Sequence, residues 1–519
     1  MDKVRVENKT AVQNGVGRLI FVALAVLLEV ATLLVIAVKF SEAAQWCTIV
    51  LRLLTVLLVL AIYSQQKTSA MKMPWIVLML VLPVLGVTLY LMIGLNGGTW
   101  KMRRRYEAVD AVLLPLLRQD ETAVKALEDE EPELTGLVRY LKNYSGYPLY
   151  RDTDVTYYAE ASDAIRAQKA DLARAEKFIF LEYHAIEDAE AWQEIRAVLE
   201  ERVRAGVEVR VFYDDVGSIG FINTDFVKRM EAVGIKCRVF NPVKIGLNLF
   251  LNNRDHRKIT VIDGKVGFTG GYNLANEYFN LTHPYGYWKD TGIRLEGRAV
   301  RSLTATFLEM WNAVHADDED DLHYGAYLKK HPYTAREKGY VLPYADSPLD
   351  KEQVGENVYI SLAESAQRYI WYVTPYLILT DEMIHALGLA AKRGVDVRVI
   401  TPGIPDKKLV YSVTRSYYNP LTRCGVRIYE YTPGFCHCKM CVTDGRAAVC
   451  GTINLDYRSL YHHFENACLY INCRAVADTK YDFDRMLEAC REVTEQYTTG
   501  RSQGLRFGQL VLRLFAPLL

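Results

Sequence analysis

Apolar positions follow two regimes along this chain. The first hundred residues hold three nearly uninterrupted apolar runs: Leu19 to Val38 with one charge, Glu29; Trp46 to Tyr63 with one, Arg52; and Pro74 to Leu95 with none. Each is long enough to cross about 30 Å of hydrocarbon. The pattern predicts a membrane anchor over 1–100 with two to three transmembrane helices, 19–38, 46–63 and 74–95. If the first two run antiparallel, Glu29 and Arg52 fall at similar depth and can pair. From residue 101 the pattern changes: 101–150 reads as a polar, mostly helical connector, and alternating strands and amphipathic helices follow. Arg204 to Val211 (RAGVEVRV) and Lys392 to Val399 (KRGVDVRV) each read as a helix end, a glycine stop and an alternating strand. Each is preceded by an apolar strand candidate, Lys177 to His184 (KFIFLEYH) or Arg368 to Tyr376 (RYIWYVTPY). A repeated β-α-β pattern predicts an α/β fold of two similar lobes, 151–330 and 331–519, with mixed sheets flanked by helices.

Composition narrows the function. The 519 residues carry 62 Lys+Arg against 62 Asp+Glu, so the chain lacks the basic footprint of nucleic-acid binding, and no nucleic-acid partner is expected. An acidic run over 317–321 reads as a solvated linker, because like charges repel into water. Ten cysteines and the basic residues Lys101, Arg103, Arg104 and Arg105 after the third run favour a multi-pass cell-membrane protein with cytosolic lobes. The basic N-terminal tail, with Lys3, Arg5, Lys9 and Arg18, pulls the other way.

The second internal match carries the chemistry. Asp255 to Leu274 (DHRKITVIDGKVGFTGGYNL) aligns without gaps on Cys436 to Leu455 (CHCKMCVTDGRAAVCGTINL). His256, Lys258, Asp263 and Asn273 recur as His437, Lys439, Asp444 and Asn454. These residues are the candidate catalytic set, with the two asparagines binding substrate. At strand spacing each His and Lys share a face. Each Asp precedes Gly, the pair favoured in two-residue hairpins, and reads as a scaffold residue. Two lysines, two imidazoles and two amides form a cup for a tetrahedral phosphate, in which one imidazole attacks phosphorus and the other moves the proton. This chemistry calls for no metal and no cofactor. Each imidazole needs an acceptor for its second nitrogen; Asp290 and Glu465, 34 and 28 residues downstream of the two motif histidines, are the orienting candidates. Cys436, Cys438 and Cys441 invite a zinc reading, which strand parity opposes because Cys436 and Cys438 face away from His437.

The paired His-x-Lys-x4-Asp motifs resemble the phospholipase D superfamily. Together with NRDHRKITVIDG, GGYN, the apolar N-terminus and the terminal RLFAPLL, they are similar to bacterial cardiolipin synthases. The resemblance implies one active site at the interface of the lobes, His256 as nucleophile and His437 as acid/base, with an acidic residue downstream of each motif orienting its His. It implies transfer of a phosphatidyl group between two phosphatidylglycerol molecules at the bilayer, yielding cardiolipin and glycerol through a phosphatidyl-histidine. Gly271 and Thr452 depart from it, standing where Ser is common, and the run 19–38 is extra. A hydrolytic phospholipase D or another phosphatidyltransferase fits the same residues; a membrane-tethered nuclease fits the balanced charge less well. The C-terminal stretch Gly504 to Leu519 is expected either to dock at the membrane interface or to pack on the second lobe.

Overall fold

Alternation from residue 153 onward builds two mixed sheets. The computed structural model describes residues 45–65, 68–91, 100–243, 252–315, 324–350, 352–499, 507–514 and 516–518, with isolated positions between 20 and 35. Glu29 and the acidic run 317–321 lie outside the described residues, as does most of the run 19–38. The first lobe contributes β1 (Thr153–Tyr158), β2 (Phe178–Tyr183), β3 (Glu208–Asp214), β4 (Lys236–Phe240), β5 (Arg254–Asp255), β6 (Lys258–Ile262), β7 (Val266–Gly270), β8 (Tyr287–Lys289) and β9 (Gly292–Gly297). The second contributes β10 (Tyr340–Asp346), β11 (Tyr369–Val373), β12 (Leu377–Ile378), β13 (Asp396–Pro402), β14 (Arg427–Tyr431), β15 (Gly434–Cys436), β16 (Met440–Thr443), β17 (Ala447–Gly451), β18 (Leu455–Asp456), β19 (His463–Ile471) and β20 (Cys490–Glu492).

The two sheets repeat one topology. The first runs β1-β9-β7-β6-β2-β3-β4, and the second runs β10-β19-β17-β16-β11-β13-β14-β20. In each, a parallel half (β2, β3, β4; β11, β13, β14) joins an antiparallel half through β2–β6 or β11–β16. The central parallel strand of each sheet is covered on both faces: β2 is buried at every position and β11 at every position but Tyr369. The glycine stops do what the sequence requires, since Gly206 and Gly394 take φ of +87° and +93° between helix and strand.

Helix Val300–Val314 is buried along nearly its whole length. It packs on β2 and β6 on one side and on β10 and the connector helix Trp100–Leu113 on the other, and its buried polar residues find partners there: Arg301 donates to the Leu328 and Leu116 carbonyls, and Glu309 accepts from the Tyr106 and Tyr147 hydroxyls. The connector is no polar spacer. Met102, Tyr106, Leu113 and Leu117 join the core, because its helices are amphipathic and pack against the lobes.

At the N-terminus, the expected second span forms helix Gln45–Tyr63. The expected third is divided at Leu82 into Ser69–Val81 and Pro83–Leu89, where Pro83 supplies no N–H to continue the first piece. Among the described residues no helix is long and apolar enough to cross a membrane. Helix Phe507–Leu514 packs on helix Lys408–Ser416 of the second lobe and on helix Ser69–Val81.

Two short strand pairs cross from lobe to lobe. β5 runs parallel to the start of β19, pairing Arg254 with His463 and Asp255 with Phe464. β15 runs parallel to β8, pairing Phe435 with Trp288 and Cys436 with Lys289. Each motif histidine follows its crossing strand directly, so these pairings place the site.

Candidate active site

The motif histidines do not lie within the main strands, as simple alternation suggests. His256 occupies the gap between β5 and β6, and His437 the gap between β15 and β16. Each is pinned by its backbone to the opposite lobe: His256 N–H donates to the Phe464 carbonyl at 2.9 Å, and His437 N–H to the Lys289 carbonyl at 2.7 Å.

This arrangement crosses the acids. Glu465, of the second lobe, accepts from Nδ1 of His256 at 2.9 and 3.0 Å. Asp290, of the first lobe, accepts from Nδ1 of His437 at 2.8 Å. Pairing each acid with the histidine upstream in its own lobe is therefore incorrect. The reason is geometric: β19 carries Glu465 one residue past its pairing with β5, and β8 delivers Asp290 one residue past its pairing with β15. Both carboxylates are fully buried. A carboxylate only accepts, so Nδ1 of His256 carries the proton and its Nε2 is left without one; Nδ1 of His437 also faces Lys439 Nζ at 2.8 Å.

The two departures from the family pattern sit beside these carboxylates. The Thr452 hydroxyl donates to Glu465 Oε2. At Gly271 a Cβ would run into Asp290 Oδ1, so this position leaves no space for a side chain.

Burial and the two lysines push both imidazoles well below their ordinary range, which favours their neutral form. Burial also lowers Lys258 to about 7, against the attraction of Glu465, and Lys439 to about 8, against that of Asp290. Asp290 is raised by burial to about 7, although Lys439 opposes this. Each ammonium sits behind its own histidine: Lys258 Nζ donates to the His256 carbonyl at 2.6 Å, and Lys439 Nζ to that of His437.

His256, His437, Asn273 and Asn454 line one cavity of about 400 Å³. The two asparagines differ within it. Asn273 accepts from Ala185 N–H at 3.1 Å and donates to Tyr278 Oη at 2.7 Å, whereas Asn454 Oδ1 has no hydrogen-bond partner among the described residues. Asp263 and Asp444 lie away from the cavity, in Asp-Gly turns with both residues at positive φ. Asp263 accepts from the N–H groups of Glu176, Lys177 and Phe178. Asp444 accepts from those of Gln367, Arg368 and Tyr369, and these bonds hold its carboxyl below the usual range despite burial. Each Asp thus ties a hairpin to the start of the central strand.

The cavity contains residues that the motifs do not mark, among them His184, Tyr376, Lys407, Arg458 and His463. His184 ends the strand of KFIFLEYH, and strand ends are where sheets of this type present ligands. His463 stands two before Glu465, on the same face by strand parity. His256, His463 and Glu465 each offer a ligand atom within 4.8 Å of the others. Cys436, Cys438 and Cys441 are not part of that group: burial drives their thiols upward, and none lines the cavity.

Comparison with known proteins identifies the family. A family model described as "Cardiolipin synthase, PLD-like domain" matches residues 169–311 and 359–487. A second, "Phospholipase_D-nuclease N-terminal", matches 53–94. A cardiolipin synthase of Geobacillus kaustophilus is 34% identical over 89% of this chain and 92% of its own. An uncharacterized protein of Streptococcus mutans is 42% identical over 89% of this chain and 99% of its own. In fold, the chain resembles the crystal structure of phosphatidylserine synthase from Haemophilus influenzae, with a TM-score of 0.54, 16% identity, and coverage of 73% of this chain and 97% of that one. With one site built from two such domains and relatives matching nearly end to end, the chain belongs to the cardiolipin synthase family of the phospholipase D superfamily.

Proposed function

We propose that the chain is a phosphatidyltransferase that makes cardiolipin from two phosphatidylglycerol molecules, with His256 as nucleophile and His437 as proton carrier. The observation that carries this reading is the pair of imidazoles on one cavity, each held at Nδ1 by a buried carboxylate from the other lobe.

An arriving phosphodiester anion offsets the two lysine charges that disfavour an imidazolium, so His437 takes up a proton when substrate binds. His256 Nε2 attacks phosphorus, forming the N–P bond as the P–O bond to the glycerol head group breaks. His437 gives its proton to the leaving alkoxide, and Asp290 stabilises the charge it carried. In the second step a hydroxyl of another phosphatidylglycerol passes its proton to His437 and bonds phosphorus; the N–P bond breaks and neutral His256 returns. Lys258, Lys439 and Asn454 stabilise the charge on the phosphoryl oxygens. Asp263 and Asp444 act only as scaffold.

The membrane reading rests on exposed apolar side chains. Val50, Leu53, Leu57 and Leu60 of helix Gln45–Tyr63 are each more than half exposed, a face that suits lipid better than water. The C-terminal segment lies between the anchor and the site: Ala516 lines the cavity, and His462 Nε2 donates to the Pro517 carbonyl at 3.1 Å. We read the lobes as cytosolic, multi-pass anchored and set close to the bilayer surface, where lipid acceptors outcompete water by concentration and orientation.

The test is purified full-length protein in vesicles of phosphatidylglycerol alone, with products identified by mass. Cardiolipin and glycerol in equal amounts support the reading. Phosphatidic acid as the sole lipid product would make the enzyme a hydrolase.

A further inference from the structure

His463 is one of the cavity residues that this mechanism leaves unused. Its side chain is 12% exposed, and among the described residues neither ring nitrogen has a hydrogen-bond partner. Its ring lies 5.4 Å from that of His256. Nδ1 of His463 is 3.6 Å from Glu465 Oε1, too long for a hydrogen bond.

The two lobes offer a comparison. Two residues before Asp290 stands Trp288, whose ring is 5.4 Å from His437. Two residues before Glu465 stands His463, at the same separation from His256. Each catalytic histidine is therefore held by a carboxylate and covered by the ring two residues before it. On the His437 side the covering ring is an indole, which does not ligate metals. On the His256 side it is an imidazole with both nitrogens unengaged.

We propose that His256, His463 and Glu465 form a binding site for a divalent transition-metal ion of the zinc type, and that occupancy of this site inhibits the enzyme. Two imidazole nitrogens and one carboxylate oxygen make a donor set that zinc accepts with a fourth position open. The three ligand atoms lie within 4.8 Å of one another. With His256 Nδ1 2.9 Å and His463 Nδ1 3.6 Å from Glu465 Oε1, a central ion needs only small side-chain shifts to reach bonding distances of about 2.0–2.2 Å. Lys258, Lys439 and Lys407 act on His256, and Arg458 acts on His463, so the ion competes with positive charge that Glu465 and Asp290 offset in part. Thr452, donating to the other Glu465 oxygen, is the outer partner that such sites use to fix a ligand.

The ion enters as the Nδ1 proton of His256 leaves to solvent. Glu465 then serves the metal, and the nucleophile loses the acceptor that orients it, so turnover stops until the ion is removed. This goes beyond the proposed reaction and rests on it only in requiring His256 for turnover; the identity of the acceptor does not enter.

The test uses the full-length protein and Zn²⁺ itself, followed by calorimetric binding and by turnover of phosphatidylglycerol vesicles. Wild type is expected to bind one Zn²⁺ at this site, to lose activity as it fills, and to recover with a chelator. Mg²⁺, a hard oxygen-seeking ion, is expected not to inhibit in this way. In both His463→Asn and His463→Phe, affinity is expected to fall at least about a hundredfold, since even an outer partner accounts for 10–100-fold. Inhibition, scored against each variant's own metal-free rate, is expected to vanish over the same range. Zn²⁺ raising the melting temperature of wild type but of neither variant supports the site independently of activity. Equal Zn²⁺ binding in wild type and both folded variants would place the ion elsewhere, at the cysteines for example, and overturn the proposal; so would the absence of binding to wild type. If phosphatidylglycerol is never turned over, the proposed reaction fails, while calorimetry and melting still decide this site.

Discussion

Crossing of the acids separates two substitutions that same-lobe pairing would interchange. Glu465 grips His256, the proposed nucleophile, through both oxygens, at 2.9 and 3.0 Å, while Asp290 grips His437, the proposed proton carrier, at 2.8 Å. Glu465→Gln and Asp290→Asn keep the shape and remove the charge. Charge-assisted bonds are about twice as strong as neutral ones, and an amide beside a catalytic imidazole can impose the wrong tautomer, which in a serine protease triad costs roughly 10⁴ in turnover. Because both carboxylates are fully buried, water cannot replace them. We expect each variant to lose roughly 10²–10⁴ of its activity on phosphatidylglycerol. The discriminating assay is the single-turnover burst of p-nitrophenolate from a short-chain phosphatidyl p-nitrophenol, whose leaving group needs no proton. There Asp290→Asn is expected to recover to within about tenfold of wild type, the proton carrier having little left to do, while Glu465→Gln keeps its whole deficit. The reverse pattern, with a normal burst in Glu465→Gln and none in Asp290→Asn, would refute either the crossed pairing or the assignment of nucleophile and proton carrier.

Other outcomes follow from the same geometry. Asp263→Asn exchanges a carboxylate accepting three backbone N–H groups for a single carbonyl oxygen. It is expected to cost about 2–4 kcal/mol of stability with kcat of the folded fraction kept; a normal melting temperature with activity abolished contradicts the scaffold role. On the alkaline side, Lys258 at about 7 and Lys439 at about 8 lose the charge that draws in phosphate as pH rises. Accordingly, kcat/KM is expected to fall from about pH 7 through 8, with the fall in kcat displaced upward because bound phosphate favours the ammonium. A kcat/KM that stays flat to about pH 9 refutes this. Removing residues 1–98, which leaves the buried Met102 and Tyr106 of the connector in place, is expected to lower transfer on bilayers more than turnover of a soluble phosphodiester, and to raise the share of phosphatidic acid. Equal effects on both substrates would show that the anchor serves only for location.

The repeat was legible in the primary structure because local rules fix it. A glycine must end a helix before RAGVEVRV and KRGVDVRV become strands, and Asp-Gly must turn after each His-x-Lys, whatever surrounds them. From that came two lobes of like topology, the two His–Lys pairs and the choice of Asp290 and Glu465 as acids. Which acid serves which histidine was not legible. It depends on β5 reaching β19 and β15 reaching β8, contacts between residues more than a hundred positions apart that no local pattern encodes. Those same crossings lift His256 and His437 out of regular strands, so alternation alone misplaced them. His184 and His463 carry no motif, the one standing between Tyr183 and Ala185 and the other between His462 and Phe464, and only the tertiary structure brings both rings to within about 5 Å of His256. Asn273 and Asn454 occupy equivalent places in the repeat, yet Tyr278 engages the first while the second is left open to the cavity. Sequence determined which groups were available, since composition and local backbone rules act within a few residues; folding decided their partners, since burial and pairing act across the whole chain.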